Sequence, residues 1–78
     1  MADRVKQVLK DIGYTDDEIF LEAIGGKVAG HIISEAFRGE SQIDRQNHLW
    51  AALEARLGPE ELRSIAAILT MTPTEVAS

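Results

Sequence analysis

The chain contains no cysteine, and this absence excludes three kinds of chemistry. No disulfide can staple the fold, no thiol can act as a nucleophile, and no thiolate can hold a metal ion. A long apolar run is also absent, since the apolar stretches are far shorter than the roughly 20 residues that a membrane helix needs. The first residues lead into an amphipathic stretch and not into an apolar signal core. We therefore expect a cytoplasmic protein.

Basic residues are also few. Eight Lys and Arg stand against 13 Asp and Glu, which gives a net charge of −5. Such a charge repels phosphate backbones and argues against unspecific binding of nucleic acid. The 78 residues are enough for one domain, which we place at residues 1–78. A domain of this size buries only about 60% of its unfolded surface, so little apolar surface is left to line a dry active site. We therefore expect a binding protein and not an enzyme.

The first part of the chain predicts one helix and two strands. Val5, Val8 and Ile12 recur at helical spacing with Leu9, which predicts an amphipathic helix over residues 3–12. Residues 19–21 and 28–34 are typical of strands. Residues 24–27 between them contain a Gly-Gly pair, and such a pair favours a hairpin turn.

The second part predicts two helices and a last strand. Ser41 is a good N-cap for a long helix that ends at Gly58, and Pro59 is well placed to open a short one. Residues 65–70 then form a third strand. The order α-β-β-α-α-β predicts an α+β fold with a three-stranded mixed sheet covered by helices. Because the last strand follows a helical crossover, we expect it to run parallel to its neighbour, with a right-handed connection.

Three stretches of the chain resemble the BolA family. They are residues 34–45 (Ser-Glu-Ala-Phe-Arg-Gly-Glu-Ser-Gln-Ile-Asp-Arg), residues 50–53 (Trp-Ala-Ala-Leu) and residues 70–75 (Thr-Met-Thr-Pro-Thr-Glu). The resemblance covers nearly the whole chain, with the elements in the same order. It implies a fold akin to the class II KH domain. It also implies partnership with a monothiol glutaredoxin in iron–sulfur and iron regulation, with links to the stress response and to transcription control.

The chain departs from that family at the positions that bind a cluster. Many relatives carry His just before the last strand, where this chain has Ser64, and His or Cys in the first hairpin loop, where it has Ile24, two glycines and Lys27. The Arg-His-Arg of the long helix becomes Arg45-Gln46-Asn47. A [2Fe–2S] cluster shared with a glutaredoxin would therefore need His48 or His31 as a substitute ligand.

These two histidines are the candidate metal ligands of the chain. His48 lies about 170° from the centre of the apolar side of the long helix, so we expect it to be in water. His31 is out of phase with Val28 and Ile32, which predicts that it lies on the open side of the sheet. A solvated or structural role is the alternative for both residues, because two isolated histidines do not make a metal site.

A basic edge is predicted along the long helix. Arg45 and Arg56 project to nearly the same side with His48 beside them, and Arg38 in the preceding loop extends the edge. Such an edge would bind an acidic partner or a phosphate, and Ser41 would either hold that phosphate or cap the helix. The alternative is a solvated face with incidental charge asymmetry.

The opposite side of this helix is apolar with one polar residue on it. A buried amide at Gln46 would cost roughly 1–3 kcal/mol unless it were hydrogen-bonded, so Gln46 is either satisfied within the fold or part of a partner surface. Trp50 is interpreted as a core residue. The apolar side consists of Ile43, Gln46, Leu49, Trp50, Leu53 and Leu57.

Three functions are compatible with these patterns. The first is a non-catalytic BolA-like adaptor that binds a monothiol glutaredoxin. The second is a nucleic-acid-binding transcriptional regulator, although the chain lacks the Gly-x-x-Gly clamp of KH domains. The third is a degenerate module that only self-associates. We expect a monomer or a weak homodimer that binds no cofactor alone.

Overall fold

The computed structural model describes residues 2–77, which form three strands and four α-helices. The helices are α1 (Ala2–Ile12), α2 (Gln42–Arg56), α3 (Pro59–Arg63) and α4 (Pro73–Ala77), and the strands are β1 (Ile19–Ile24), β2 (Lys27–Ile33) and β3 (Ile65–Met71). Single 3₁₀ turns precede β1 and follow β2. The predicted α+β fold and its α-β-β-α-α-β order are confirmed. The terminal helix α4 was not predicted.

The three strands form one mixed sheet in the order β1-β2-β3. β1 and β2 are antiparallel, and the turn between them is formed by Gly25 and Gly26, whose φ angles of 56° and 79° require glycine-like freedom. β3 runs parallel to β2, as predicted, and α2 and α3 lie in the connection between them. The central strand is therefore paired on both sides.

All the buried apolar side chains of the sheet point to one face, on which the helices pack. On this covered face, Leu9 of α1 and Leu53 of α2 are completely buried against Ile32 of β2. The core consists of Val5, Val8, Leu9, Ile19, Val28, Ile32, Phe37, Leu49, Leu53, Leu57, Ile65 and Ile68. Among residues 2–77, no helix is both long and apolar enough to cross a membrane.

The start of α2 differs from the prediction in one respect. Ser41 caps the helix, since its hydroxyl oxygen accepts a hydrogen bond from the Asp44 backbone N–H at 3.1 Å. Ile43, however, is 73% exposed, and its placement on the apolar side of α2 is wrong. At this end of the helix the side chains of Gln42 and Arg45 reach inward to the Thr70 carbonyl oxygen. Their polar contacts turn Ile43 outward to solvent.

Candidate functional sites

The hairpin loop and the end of α3 lie side by side. The Val28 backbone N–H donates to the Ser64 carbonyl oxygen at 2.7 Å, and Lys27 Nζ donates to the Arg63 carbonyl oxygen at 2.8 Å. We call this region, residues 24–27 together with Ser64, the hairpin corner. It brings together the two parts of the chain that the sequence analysis singled out, the first hairpin loop and Ser64.

The hairpin corner contains none of the side chains that commonly bind iron. The Ser64 hydroxyl donates to the Glu60 carbonyl oxygen at 3.2 Å, and the Lys27 ammonium is already hydrogen-bonded to the end of α3. Neither an imidazole nor a carboxylate lies among these five residues, and imidazole and thiolate are the side chains that suit iron–sulfur chemistry. The corner can therefore make polar contacts to a partner but offers no ligand for a cluster.

The two histidines lie on opposite sides of the molecule. His31 is on the open face of the sheet, as predicted, where its ring stacks on Phe20 with the ring centroids 4.8 Å apart and an interplanar angle of 17°. His48 is exposed on the outer side of α2, as predicted, and its Nδ1 lies 2.7 Å from Glu40 Oε2. The sheet and α2 separate the two rings, so they cannot bind one metal ion together. Within residues 2–77, no cluster of three or more acidic or histidine side chains could hold a metal.

The predicted basic edge does not form, because Arg45 is buried. Its side chain is only 6% exposed, and its guanidinium lies 5.7 Å from the centre of the Phe37 ring. Nε donates to the Glu40 carbonyl oxygen at 3.0 Å, and Nη1 and Nη2 donate to the two carboxylate oxygens of Glu75 at 2.7 and 3.2 Å. The placement of Arg45 on an exposed docking edge is therefore wrong. Arg45 instead joins α2 to α4.

The other members of the predicted edge are dispersed. Arg38 is exposed and forms a bidentate ion pair with Glu35, with Nε–Oε2 and Nη2–Oε1 distances of 2.7 and 2.9 Å, and this pairing lowers the pKa of Glu35. Arg56 is exposed at the end of α2, and Ser41 is engaged as a helix cap. With Arg45 removed from the surface, these residues do not form a continuous basic patch.

Glu75 is the residue at this end of the molecule that sequence reasoning missed. Its carboxylate accepts a hydrogen bond from the Thr72 backbone N–H at 2.7 Å, and the Thr72 hydroxyl accepts from the Glu75 N–H at 3.2 Å. The Arg45 guanidinium, followed by the Thr72 N–H, lowers the pKa of Glu75 to about 2. The sequence did contain the signal, since Thr-Pro-x-Glu is the pattern of a capping box with proline at the first helical position.

Gln46 is satisfied within the fold. Its amide nitrogen donates to the Ile68 carbonyl oxygen at 2.9 Å, and its amide oxygen accepts from Trp50 Nε1 at 3.1 Å. Trp50 is half-buried and packs against the core. Of the two predicted roles for Gln46, the structural one therefore explains its position between α2 and β3.

The chain matches no protein-family model, no curated protein and no solved structure with which it was compared.

Proposed function

We propose that this protein is a non-catalytic adaptor of the BolA type, and that its partner is a monothiol glutaredoxin. One observation carries most of the proposal: the hairpin loop and Ser64 are adjacent, linked by the 2.7 Å hydrogen bond from Val28. In the family that the sequence resembles, these two positions face the shared cluster. The adjacency of these two positions supports the proposal, although this chain carries other residues where the family carries its ligands.

The replaced ligands determine the form of the complex that we propose. The glutaredoxin would supply its own cysteine and glutathione as cluster ligands, and the adaptor would contribute contacts from the hairpin corner. His31 and His48 do not belong to that corner, because His31 stacks on Phe20 and His48 pairs with Glu40 on the outer side of α2. A complex of this kind would handle or sense iron–sulfur clusters without direct ligation by this chain.

The test is to mix the protein with a monothiol glutaredoxin that carries a [2Fe–2S] cluster. Native mass spectrometry should detect a heterodimer, and reversing the charge at the corner with Lys27→Glu should weaken it. Arg38→Glu, which reverses an exposed charge beyond the opposite end of β2, is the matched control and should leave the heterodimer intact. If the unaltered chain forms no heterodimer and leaves the visible circular dichroism of the cluster unchanged, the proposal is wrong.

A second variant tests the replaced ligand directly. Ser64→His restores an imidazole, a good ligand for iron, at the position that the family uses. We expect new bands in the visible circular dichroism of the mixed complex that the unaltered chain does not produce. A spectrum identical to that of the unaltered complex would show that the hairpin corner does not face the cluster.

The nucleic-acid-binding alternative has less support. The basic edge on which it depended loses Arg45 to the interior and has Arg38 in an ion pair with Glu35. This alternative would be favoured if the protein did not bind glutaredoxin but bound single-stranded nucleic acid with an affinity that falls as salt rises.

A further inference from the structure

The open face of the sheet carries a row of two exposed apolar side chains with an imidazole between them, which we call the apolar row. Phe20, His31 and Leu69 are direct neighbours across β1, β2 and β3, and all three side chains project away from the helices. Phe20 is 45% exposed and Leu69 is 60% exposed. Large apolar side chains grouped in this way on a surface are typical of a binding site, whereas single ones are ordinary.

The shape of this face suits an elongated partner. The next cross-strand row consists of Glu22, Ala29 and Ala67, so small side chains leave a depression beside the larger ones. The open face and the first turns of α1 line an open groove of about 830 Å³. The strands contain six or seven residues, which corresponds to ~20 Å at about 3.3 Å per residue. A helix of about 14 residues has the same length.

The charges at the groove are acidic. Asp3 of α1 and Glu22 of β1 line it, and neither takes part in an ion pair within residues 2–77. One lysine, Lys6, also lines the groove, and it shares the Asp16 carboxylate with Lys10, with Nζ–Oδ1 distances of 3.3 and 3.4 Å. Two carboxylates against one lysine leave the lining net negative beside apolar side chains.

We propose that the open face binds a basic amphipathic helix of another protein. Its apolar side chains would cover Phe20 and Leu69 and enter the depression at Ala29 and Ala67. Its lysines or arginines would lie near Glu22 and Asp3, where opposite charges steer association and fix orientation. Such a helix would cover the second face of the sheet, as helices do in α/β proteins. This inference does not depend on the proposed glutaredoxin partner.

A second copy of the chain is a poorer occupant. Each copy carries a net charge of −5, and the open face of each copy carries two carboxylates against one lysine. Like charges placed opposite one another disfavour association. The apolar row would suit either a second copy or an amphipathic helix of another protein. The acidic residues beside it favour the basic helix.

The test uses two synthetic peptides of about 14 residues, a length that matches the strands. Both carry leucines along one helical face, and the opposite face carries lysines in one peptide and glutamates in the other. The isotopically labelled full chain is titrated with each peptide while its amide NMR shifts are recorded. We expect saturable shifts confined to the open face with the lysine peptide, weakening as salt screens the charges, and no binding of the glutamate peptide.

Two pairs of variants sharpen the result. Leu69→Ala and Glu22→Lys alter the open face, and each should weaken binding of the lysine peptide roughly tenfold. Ile43→Ala and Glu54→Lys alter exposed residues of α2 on the other side of the molecule and should have no effect. Shifts that map to α2, equal binding of both peptides, or no binding at millimolar peptide would each overturn the proposal. A dimer that dissociates with Leu69→Ala, detected by sedimentation, would assign the face to a second copy instead.

Discussion

The covered and open faces of the sheet are built from the same strands but differ in how far their side chains are exposed to solvent. Ile68 is 2% exposed on the covered face, whereas the next residue, Leu69, is 60% exposed on the open face. Both are aliphatic, so the difference arises from what packs against them and not from their chemistry. The helices of this chain supply one layer only. Apolar residues on the covered face therefore stabilise the fold, and those on the open face are available to a partner.

The sharpest test of this comparison truncates one leucine on each side. Leu53 of α2 is completely buried against the covered face, so Leu53→Ala should lower the free energy of unfolding by about 3 kcal/mol through lost transfer energy and the cavity left behind. Leu69→Ala should cost less than about 1 kcal/mol. Urea denaturation measures both values. If Leu69→Ala lowered the free energy of unfolding as much as Leu53→Ala does, and the loss depended on protein concentration, the open face would be covered in solution.

A second test concerns the close approach of β1 and β2. Gly30 lies in the central strand, and a Cβ atom there would overlap the Phe20 carbonyl oxygen and lie 2.9 Å from Leu21 Cα. Because both obstacles are backbone, Gly30→Ala should push β1 away from β2 and destabilise the protein by about 2 kcal/mol. The change should also disturb the stack of Phe20 on His31, observable as shifts of their ring protons.

Gly58 provides the control for this substitution. A Cβ atom at Gly58 would have only the Glu61 side chain near it, at 3.8 Å, so Gly58→Ala should cost less than about 1 kcal/mol. Equal effects of the two substitutions would contradict the close approach of β1 and β2 at Gly30.

A smaller effect is expected from the polar contacts that join α2 to α4. Arg45→Met keeps much of the side-chain volume but removes the donors to the Glu40 and Thr70 carbonyl oxygens, which should cost roughly 1–2 kcal/mol. It also removes the main cause of the lowered pKa of Glu75. That pKa falls from 4.5 to about 2 in the folded chain, so the contribution of Glu75 to stability is complete above pH 4.5 and is lost as the pH falls towards 2.

The measurement is urea denaturation of both proteins between pH 6 and about 2, the window set by these two pKa values. Stability should fall less steeply with acid in Arg45→Met than in the unaltered chain. Arg38→Met is the matched control, because it breaks an ion pair with Glu35 in which both side chains are exposed. It should reduce the pH dependence of stability less than Arg45→Met does. Identical profiles for all three proteins would contradict the role of the Arg45–Glu75 contact.

Most of the fold could be predicted from local patterns. Ser41, Gly58 and Pro59 mark helix boundaries through backbone and capping preferences that act within a few residues. The alternation in β2 correctly placed His31 on the open side, because strand geometry determines which face a side chain takes. These rules need no knowledge of the rest of the chain.

The errors arose where distant segments meet. A helical projection treats α2 as isolated, and on that basis Arg45 belongs to the solvent side. Its burial depends on Glu75, which lies 30 residues away on a helix that was not predicted. Ile43 was misplaced for a related reason, since Gln42 and Arg45 take the inward positions by hydrogen bonding to Thr70 in β3. No local pattern of α2 contains these partners.

The parallel pairing of β2 with β3 has a consequence for how the chain acquires its structure during synthesis. β2 ends at Ile33, and its parallel partner begins at Ile65, so the antiparallel hairpin leaves the ribosome well before the third strand does. A two-stranded hairpin is at best marginally stable in water, and joining β3 to it closes a long loop with its entropic cost. The nascent hairpin therefore stays without its permanent neighbour until α2, α3 and β3 have emerged after it, and during that interval its apolar side chains are exposed to non-native contacts.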